Sequence, residues 1–409
     1  LYMSKNISFL SGRKGLENNL FDKMGQEATE TGTPSKEDLE KLAKEFLVGN
    51  AITYGSATFY DFMKPENKGK EVYICNGSTC LCAGTQDKLQ SELLEYIDAD
   101  KIGHMTCLGR CHENGAFNYK GSNYSNLSKE EIKELFSNSF KQKDRYKVGT
   151  LGNSILTAST GDISSYYQLL DKVLKMSSEE VFDQIMQSNL KGRGGAGFPM
   201  GVKLQTARNI ESDVKFVISN ADEGDPGAYT DRYIMEERPH SMLLGMIITG
   251  YAIGAEWGVI YIRGEYPESV NVIEKAIDEL YAKNILPIAT NENDFNFQFK
   301  VIKAQGAYIC GEETALINSI EGQRPEVRIR PPFPAVEGLF NRPTIVNNVE
   351  TLASVPWILK NGGSAYSQLG TEKSKGTKLV CLDSFFKNPG VYEVEMGISF
   401  SKVIYELGG

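Results

Sequence analysis

Two groups of residues in this 409-residue chain have the composition and spacing of cofactor sites. The first is the segment from Lys191 to Lys203, in which two lysines and an arginine frame five glycines. Glycine accepts φ > 0 and leaves its N–H group open to an anion, so the segment suits a phosphate-bearing ligand with a flat ring near Phe198. Its glycines are not ordered as in a dinucleotide fingerprint or a P-loop, and a plain turn is the commoner origin of such a segment.

The second group is four cysteines in two pairs. Cys75 and Cys80 have four residues between them, and Cys107 and Cys111 have three. Structural zinc sites usually contain tighter C-x2-C knuckles, whereas two pairs on separate loops can surround a 2Fe-2S cluster, which takes four thiolates. The spacing therefore favours the cluster, and a zinc site stays open as the alternative.

Strands that alternate with helices are predicted around the glycine segment. Residues 214–220, 259–263 and 297–304 have the composition of buried strands, and 269–284 has an amphipathic helical pattern. This alternation predicts an α/β fold with a doubly wound, mainly parallel sheet. Polar residues follow two of these strands, and ligand groups gather at strand ends in such sheets. Taken alone, Asx-rich turns and acidic residues at a helix start explain the same residues.

The bulk composition indicates an ordinary globular protein, with 41% hydrophobic and 24% charged residues. A net charge of −9 argues against a nucleic-acid partner. The apolar stretch 241–262 is interrupted by Glu256 and by glycines, so we expect no membrane insertion. Four clustered cysteines out of seven suit metal ligation in a reducing cytoplasm. Residues 1–33 are polar and weakly periodic, which predicts a loose segment before the first helix.

The cysteine region resembles the thioredoxin-like 2Fe-2S subunit of NADH dehydrogenases. The residues that carry this resemblance are Ala57-Thr58-Phe59-Tyr60, Gly69-Lys70, Cys75-x4-Cys80 and Cys107-Leu108-Gly109-Arg110-Cys111. It implies a thioredoxin-like domain in which Cys75, Cys80, Cys107 and Cys111 are the iron ligands.

The region from about 185 to 360 is similar to the flavin-binding subunit of the same enzymes, because five motifs follow one another in the same order. They are Gly192-Arg193-Gly194-Gly195-Ala196-Gly197-Phe198-Pro199, Asn220-Ala221-Asp222-Glu223, Tyr308-Ile309-Cys310-Gly311-Glu312-Glu313-Thr314-Ala315-Leu316, Pro332-Phe333-Pro334-Ala335 and Asn347-Asn348-Val349-Glu350-Thr351. The similarity implies a Rossmann-like domain that binds FMN and NADH.

The resemblance also implies roles for individual residues. Glu313 and Tyr308 would face the nicotinamide, Phe198 and Phe333 would stack on the adenine, and Lys203 would lie near the flavin. The other implied contacts to FMN or NADH are Gly192, Arg193, Gly194, Gly195, Ala196, Gly197, Asn220, Asp222, Glu223, Asp225, Gly311, Glu312, Asn347 and Asn348.

This chain departs from the family pattern at two positions. Thr206 replaces an expected aromatic residue, and Asp225 stands where glutamate is expected. The first change weakens the expected stacking on the adenine by on the order of 1 kcal/mol.

Two such regions on one chain resemble the fused diaphorase subunits of NAD-linked hydrogenases, formate dehydrogenases and electron-bifurcating complexes. The resemblance implies a helical lead-in (1–65), a thioredoxin-like 2Fe-2S domain (66–145), an FMN/NADH-binding domain (146–375) and the start of a β-grasp domain (376–409). A 4Fe-4S cluster is expected only in a following part that this sequence lacks.

The implied function is a cytoplasmic NADH dehydrogenase module. It would transfer a hydride between NAD(H) and FMN, and single electrons to or from iron-sulfur clusters of partner redox subunits. The alternative is a non-catalytic 2Fe-2S electron relay or scaffold with a degenerate flavin domain.

Overall fold

The computed structural model describes residues 15–31, 33–137, 140, 146–290 and 295–409. In this part of the chain the strands form three sheets, and most helices pack on the largest of them. None of the helices described is long and apolar enough to cross a membrane.

Three helices come first: α1 (Leu20–Thr31), α2 (Lys36–Glu45) and α3 (Asn50–Ala57). The predicted loose segment up to residue 33 is wrong where α1 lies, because Phe21 and Met24 are completely buried. They are three residues apart and share one helical face, which the polar composition of the segment obscures. The first fourteen residues of that segment lie outside the described part of the chain.

The four predicted ligand cysteines lie on or beside a small sheet. Its elements are β1 (Val72–Cys75), α4 (Ser78–Cys82), α5 (Gln86–Leu93), β2 (Ile102–Met105), β3 (Phe117–Tyr119), β4 (Ser122–Tyr124) and α6 (Lys129–Phe136). The strand order is β2-β1-β3-β4, with β1 parallel to β2 and antiparallel to β3. The parallel pair delivers Cys75 and the loop after Met105 to the same edge of the sheet.

The longer second part of the chain alternates strands and helices, as predicted. Its elements are β5 (Lys147–Leu151), α7 (Ile163–Val173), α8 (Ser178–Ser188), α9 (Met200–Asn209), β6 (Phe216–Ala221), α10 (Thr230–Glu237), α11 (Pro239–Ile253), β7 (Trp257–Ile262), α12 (Pro267–Ala282), β8 (Ile288–Thr290), β9 (Phe295–Lys303), α13 (Glu313–Ile320), β10 (Thr344–Asn348), α14 (Val349–Asn361), α15 (Gly363–Ser367), β11 (Thr377–Leu382) and β12 (Gly390–Glu395).

The five-stranded sheet confirms the predicted doubly wound, mainly parallel architecture. Its order is β10-β6-β7-β9-β8, and only the β8–β9 pair is antiparallel. Alternate residues of β6 point to opposite faces: Val217 packs in the apolar cluster with α11 and α14, and Ile218 packs in the cluster with α1 and α13. The apolar stretch 241–262 is the buried helix α11 followed by the buried strand β7.

The third sheet has the order β11-β12-β5. β11 and β12 are antiparallel neighbours, whereas β5 joins β12 in parallel with Val148 opposite Val391. This sheet therefore unites the two ends of the second part of the chain. Its strands come from both sides of the predicted boundary at residue 376, and the domain limits and the β-grasp assignment stay predictions.

Candidate functional site

The glycine segment forms a loop that is closed at its base. The N–H of Gly192 donates to the carbonyl of Phe198 at 2.9 Å, and helix α9 begins directly after Pro199. Gly195 and Gly197 have φ values of 108° and 62°, which a residue with a Cβ adopts only at a cost. An added Cβ on Gly194 would lie 3.2 Å from the Cβ of Asn348. The loop thus needs glycine both for its conformation and for its close approach to the end of β10.

Arg193 has a different orientation from the rest of the loop. Its guanidinium Nη2 donates to Tyr366 Oη at 3.3 Å and to the carbonyl of Lys375, and the residue is only 7% exposed. Its backbone N–H donates to Thr351 Oγ1 at 2.8 Å. Arg193 therefore fixes the loop on α14, on α15 and on the segment before β11, and it also lines the cleft described below.

Three strands of the parallel sheet end beside this loop. Asn220 lies near the end of β6 and Asp222 directly follows that strand, Asn347 and Asn348 end β10, and the segment from Tyr308 follows β9. The Asn220 side chain joins two of these ends by donating to the carbonyl of Gly311 at 2.8 Å. Carboxyl ends of parallel strands share one edge of a sheet, which explains why motifs distant in sequence meet here.

Several of the acidic and amide side chains cap helices. Both carboxylate oxygens of Glu223 accept N–H groups at the start of α10, from Asp231 and Arg232. Glu312 accepts two N–H groups at the start of α13, and Asn348 accepts two at the start of α14. These caps fix the backbone at the strand ends, so part of each motif serves the local structure.

The other predicted polar residues form pairs across the site. Glu313 accepts from Lys203 Nζ at 3.2 Å and from Arg330 Nη1 at 3.3 Å. Tyr308 Oη donates to Asp225 Oδ1 at 2.7 Å, and the tyrosine is 70% exposed. These pairs place a charged cluster on one wall and an exposed aromatic ring at the rim.

Two adjoining cavities, of about 500 Å³ and 670 Å³, share five wall residues and form one cleft. The shared residues are Gly194, Asn220, Gly311, Glu312 and Asn348. The first cavity is also lined by Arg193, Gly195, Asp222, Glu223, Asp225 and Tyr308, and the second by Gly192, Ala196, Gly197, Phe198, Lys203, Glu313, Phe333 and Asn347. The structure thus brings all the predicted flavin and nucleotide residues to one cleft. Thr206 also lines the second cavity.

Sequence reasoning missed three charged residues of the cleft: Asp231, Arg330 and Lys378. Asp231 accepts from Asn348 Nδ2 at 2.6 Å, and burial followed by the nearby Glu223 raises its pKa well above the usual value. Lys378 Nζ pairs with the fully buried Glu350. Lys378 comes from the third sheet, and no local pattern in the sequence places that strand beside the cleft. The sequence did offer one indication for Asp231, because this residue follows the acidic motif at the end of β6 by only a few positions.

Four buried polar atoms of residues that line the cleft have no hydrogen-bond partner within the described part of the chain: Arg193 Nε, Asp222 Oδ2, Asp231 Oδ1 and Asn347 Nδ2. Burial raises the pKa of Asp222 to about 7, although Arg263 acts in the opposite direction. A buried polar group without a partner is costly, so the wall suits a ligand that offers both donors and acceptors. The ribityl hydroxyls and ring heteroatoms of FMN meet this requirement.

The four predicted iron ligands are buried, between 0% and 3% exposed. The Sγ atoms of Cys107 and Cys111 are 3.6 Å apart, and the Cys80 thiol forms a hydrogen bond with Cys75. No group of three side chains in the described chain is arranged to hold a single metal ion. Two separate pairs fit a 2Fe-2S cluster, whose four thiolates are divided between two irons, better than a zinc ion bound by four.

The cysteine loops contact the flavin side of the molecule. The N–H of Gly227, in the loop after β6, donates to Cys111 Sγ at 3.2 Å. The thiol hydrogen bond from Cys111 lowers the pKa of Cys107; burial opposes this, and the positive charge of Arg263 adds to it. Cys82 lies outside both pairs and is exposed.

Comparison with known proteins agrees with this geometry. Residues 18–139 match the family of thioredoxin-like [2Fe-2S] ferredoxins, and residues 185–357 match the Nuo51 FMN-binding domain. The chain carries a thioredoxin-like 2Fe-2S domain followed by an FMN-binding domain. The match to the 2Fe-2S domain includes helices α1 to α3, and the match to the FMN domain includes the whole cleft apart from Lys378.

Similar proteins are redox subunits. The chain is 44% identical over 252 residues to an NADH-quinone oxidoreductase subunit of Rhizobium meliloti (strain 1021), covering 61% of this chain and 60% of that protein. It is 47% identical over 243 residues to NADP-reducing hydrogenase subunit HndC of Solidesulfovibrio fructosivorans, covering 59% of this chain and 49% of that protein. The chain thus spans about half to three fifths of these relatives.

A solved structure covers both domains together. A chain of an NAD⁺-reducing [NiFe]-hydrogenase in the H2-reduced state superposes with a TM-score of 0.81 at 25% sequence identity, over 95% of this chain and 69% of that chain. The two domains therefore occur in one chain, in the same order, in a protein of known structure.

Proposed function

We propose that this chain is the NADH-oxidising module of a larger redox complex. The observation that carries the proposal is the row of unpartnered buried polar atoms on the cleft wall, next to a loop that donates a hydrogen bond to a cluster ligand. Bound FMN would supply the conversion of the two-electron chemistry of NADH into single-electron transfers to the 2Fe-2S cluster.

Residues of both cavities would hold the flavin, Asp222 in the first and Asn347 and Lys203 in the second. Asp222 and Asn347 would take ligand atoms as their missing hydrogen-bond partners, and the N–H groups of the glycine loop would lie along an anionic part of the ligand. Lys203 would set positive charge near the flavin, where Val346 already accepts one of its hydrogen bonds at 2.8 Å. These residues would bind and orient the flavin.

The second cavity would hold NADH. Glu313 would orient the nucleotide rather than act as a base, because hydride transfer needs alignment and no side-chain nucleophile. Phe198 and Phe333 are about half exposed and would close on the adenine when the nucleotide binds. Tyr308, at the rim of the adjoining first cavity, would face the nicotinamide.

Electrons would leave through the cysteine pairs. Cys75, Cys80, Cys107 and Cys111 would ligate the cluster, and partner iron-sulfur subunits would exchange electrons with it or with the flavin. Relatives that are named as subunits of hydrogenases and quinone oxidoreductases support such partners. The use of thiols as ligands supports a reducing, cytoplasmic location.

Absorption spectroscopy tests the proposal directly. The full chain is purified anaerobically, supplied with iron, sulfide and FMN, and freed of unbound cofactor. We expect flavin and iron-sulfur bands that both bleach when NADH is added. Cluster bands without bound flavin would instead support the relay or scaffold alternative, and a colourless protein would contradict both.

A further inference from the structure

A buried arginine lies between the cysteine loops and the flavin cleft. Arg263 directly follows β7 and is 4% exposed. Its Nη2 donates to the carbonyl of Thr106 at 2.9 Å, and its Nη1 donates to the carbonyl of Glu223. Thr106 precedes the ligand Cys107, and Glu223 belongs to the loop of the cleft. One guanidinium thus holds the backbone of both candidate cofactor sites.

The charge of Arg263 is paired with Glu265. Its Nη2 and Nε lie 3.1 Å and 3.3 Å from the two carboxylate oxygens of Glu265, and its guanidinium carbon lies 4.8 Å from the centre of the Tyr266 ring. Glu265 is the carboxylate in direct contact with this cation, and Asp222 and Glu223 also lie within its electrostatic range. The hydrogen bond to the carbonyl of Thr106 places the guanidinium beside the ligand Cys107, where it would stabilise a negatively charged neighbour.

A 2Fe-2S cluster held by four thiolates is such a neighbour. It carries a net negative charge, and on reduction one electron enters and its charge becomes more negative by one. A fixed positive charge stabilises the reduced state more than the oxidised state, and the effect is poorly screened in a buried site.

We propose that Arg263 is a positioning residue that raises the reduction potential of the 2Fe-2S cluster while it holds the cluster loop against the flavin cleft. This inference rests on the proposed function, since it requires the cluster at Cys75, Cys80, Cys107 and Cys111. Glu265 acts in the opposite sense by offsetting the guanidinium charge. The pair therefore sets how readily the cluster takes an electron from the flavin side.

The test is a redox titration of the full chain, followed by the electron paramagnetic resonance signal of the reduced cluster. Arg263→Gln removes the charge but keeps a donor, and we expect a shift of the midpoint potential to lower values. Glu265→Gln removes the compensating charge, and we expect a shift to higher values. Arg263→Lys keeps the charge and should shift the potential less than Arg263→Gln.

Arg208→Gln is the matched control. Arg208 also joins two segments through its guanidinium, which donates to Ser178 and to the carbonyl of Ala252. We expect no change of the cluster potential in this variant. Bound flavin and iron are measured in every variant, to show that both sites are intact.

Opposite shifts for Arg263→Gln and Glu265→Gln support the inference, because a purely structural role has no reason to reverse sign. Shifts of the same sign, or unchanged potentials in both, overturn it. If Arg263→Gln loses the cluster, Glu265→Gln decides: a shift to higher potential supports the inference, and an unchanged or lowered potential overturns it. A wild-type chain that assembles no cluster would overturn the proposed function itself, which is a different result.

Discussion

The two candidate cofactor sites differ in their access to solvent. The four cysteines are at most 3% exposed, whereas Phe198, Phe333 and Tyr308 at the cleft are between 51% and 70% exposed. A cluster is assembled once and stays, and its electrons pass through surrounding protein. A nicotinamide nucleotide must enter and leave in every turnover. The buried cysteines therefore suit a site that exchanges only electrons, and the exposed cleft residues suit a site that exchanges a nucleotide.

The sites also differ in how their polar groups are satisfied. Around the cysteines, backbone N–H groups of Gly77 and Gly227 donate to sulfur atoms of Cys75 and Cys111. In the cleft, the buried side-chain atoms named above lack partners among the described residues. The cysteine sulfurs thus accept hydrogen bonds from the protein itself, whereas these polar groups of the cleft wall need a ligand as their partner. Each prediction below separates these two properties.

The largest expected effect is the loss of the cluster in Cys107→Ser. Loss of an outer-shell partner already lowers metal affinity about 10–100-fold, and loss of a ligand costs at least as much. We expect most of the bound iron to be lost while FMN stays bound, as measured by iron analysis and flavin fluorescence after release. Cys82→Ser, at an exposed thiol, is the control. Full iron content in Cys107→Ser would remove this residue from the ligand set.

Gly195→Val should abolish flavin binding and leave the cluster intact. The substitution forces a Cβ at φ 108° and extends a side chain into the first cavity. Gly254→Val is matched, because Gly254 also has positive φ and open space at an added Cβ but lies at the end of α11. Both variants have a backbone cost of about 1–2 kcal/mol. Flavin retained by Gly195→Val would contradict the placement of FMN.

The third prediction concerns the cleft without ligand. Burial raises the pKa of Asp222 from 3.8 to about 7, so the folded protein holds a proton there that the unfolded chain releases. The stabilising contribution of Asp222 to the free energy of unfolding is fully present below about pH 4 and is lost as the pH rises to about 7. We expect the melting temperature of the flavin-free protein to fall with rising pH in this window, and to fall less in Asp222→Asn.

The effect of Asp222 is on the order of a few kcal/mol at most, since one pKa unit corresponds to about 1.4 kcal/mol. Asp225→Asn, at the exposed rim, is the control. If the melting temperature depends on pH in the same way in the wild type and in Asp222→Asn, protonation of this carboxyl does not contribute to the stability of the flavin-free protein.

The smallest predicted effect is that of Glu313→Gln. This change removes a charge that pairs with Lys203 and Arg330, and we expect weaker reduction of the flavin by NADH with FMN still bound. A charge-assisted hydrogen bond contributes about 1.5–3 kcal/mol, so NADH reduction at low substrate should fall about tenfold or more. Stopped-flow absorption measures it. Unchanged kinetics would place the nucleotide elsewhere.

The sequence predicted the parallel sheet and the residues that meet at its edge, because strand composition and strand-end motifs are local patterns. Three features depended on tertiary contacts. Arg193 hydrogen-bonds to Tyr366 through its guanidinium. Lys378 reaches the cleft from a strand of another sheet. Helix α1 packs on the sheet through four buried apolar residues, and the polar composition of the surrounding sequence made this pattern hard to recognise. Each depends on packing partners far away in the sequence.

The buried carboxylate of Glu393 has a consequence for synthesis. It accepts the backbone N–H groups of Ile155, Leu156 and Thr157, and Ile155 precedes Glu393 by 238 residues. At about 5–20 residues per second, a ribosome needs roughly ten to fifty seconds to make that interval. During this time the three N–H groups lack Glu393 as an acceptor, and strand β5 lacks its neighbour β12. The third sheet can therefore form only after β12 has been synthesised.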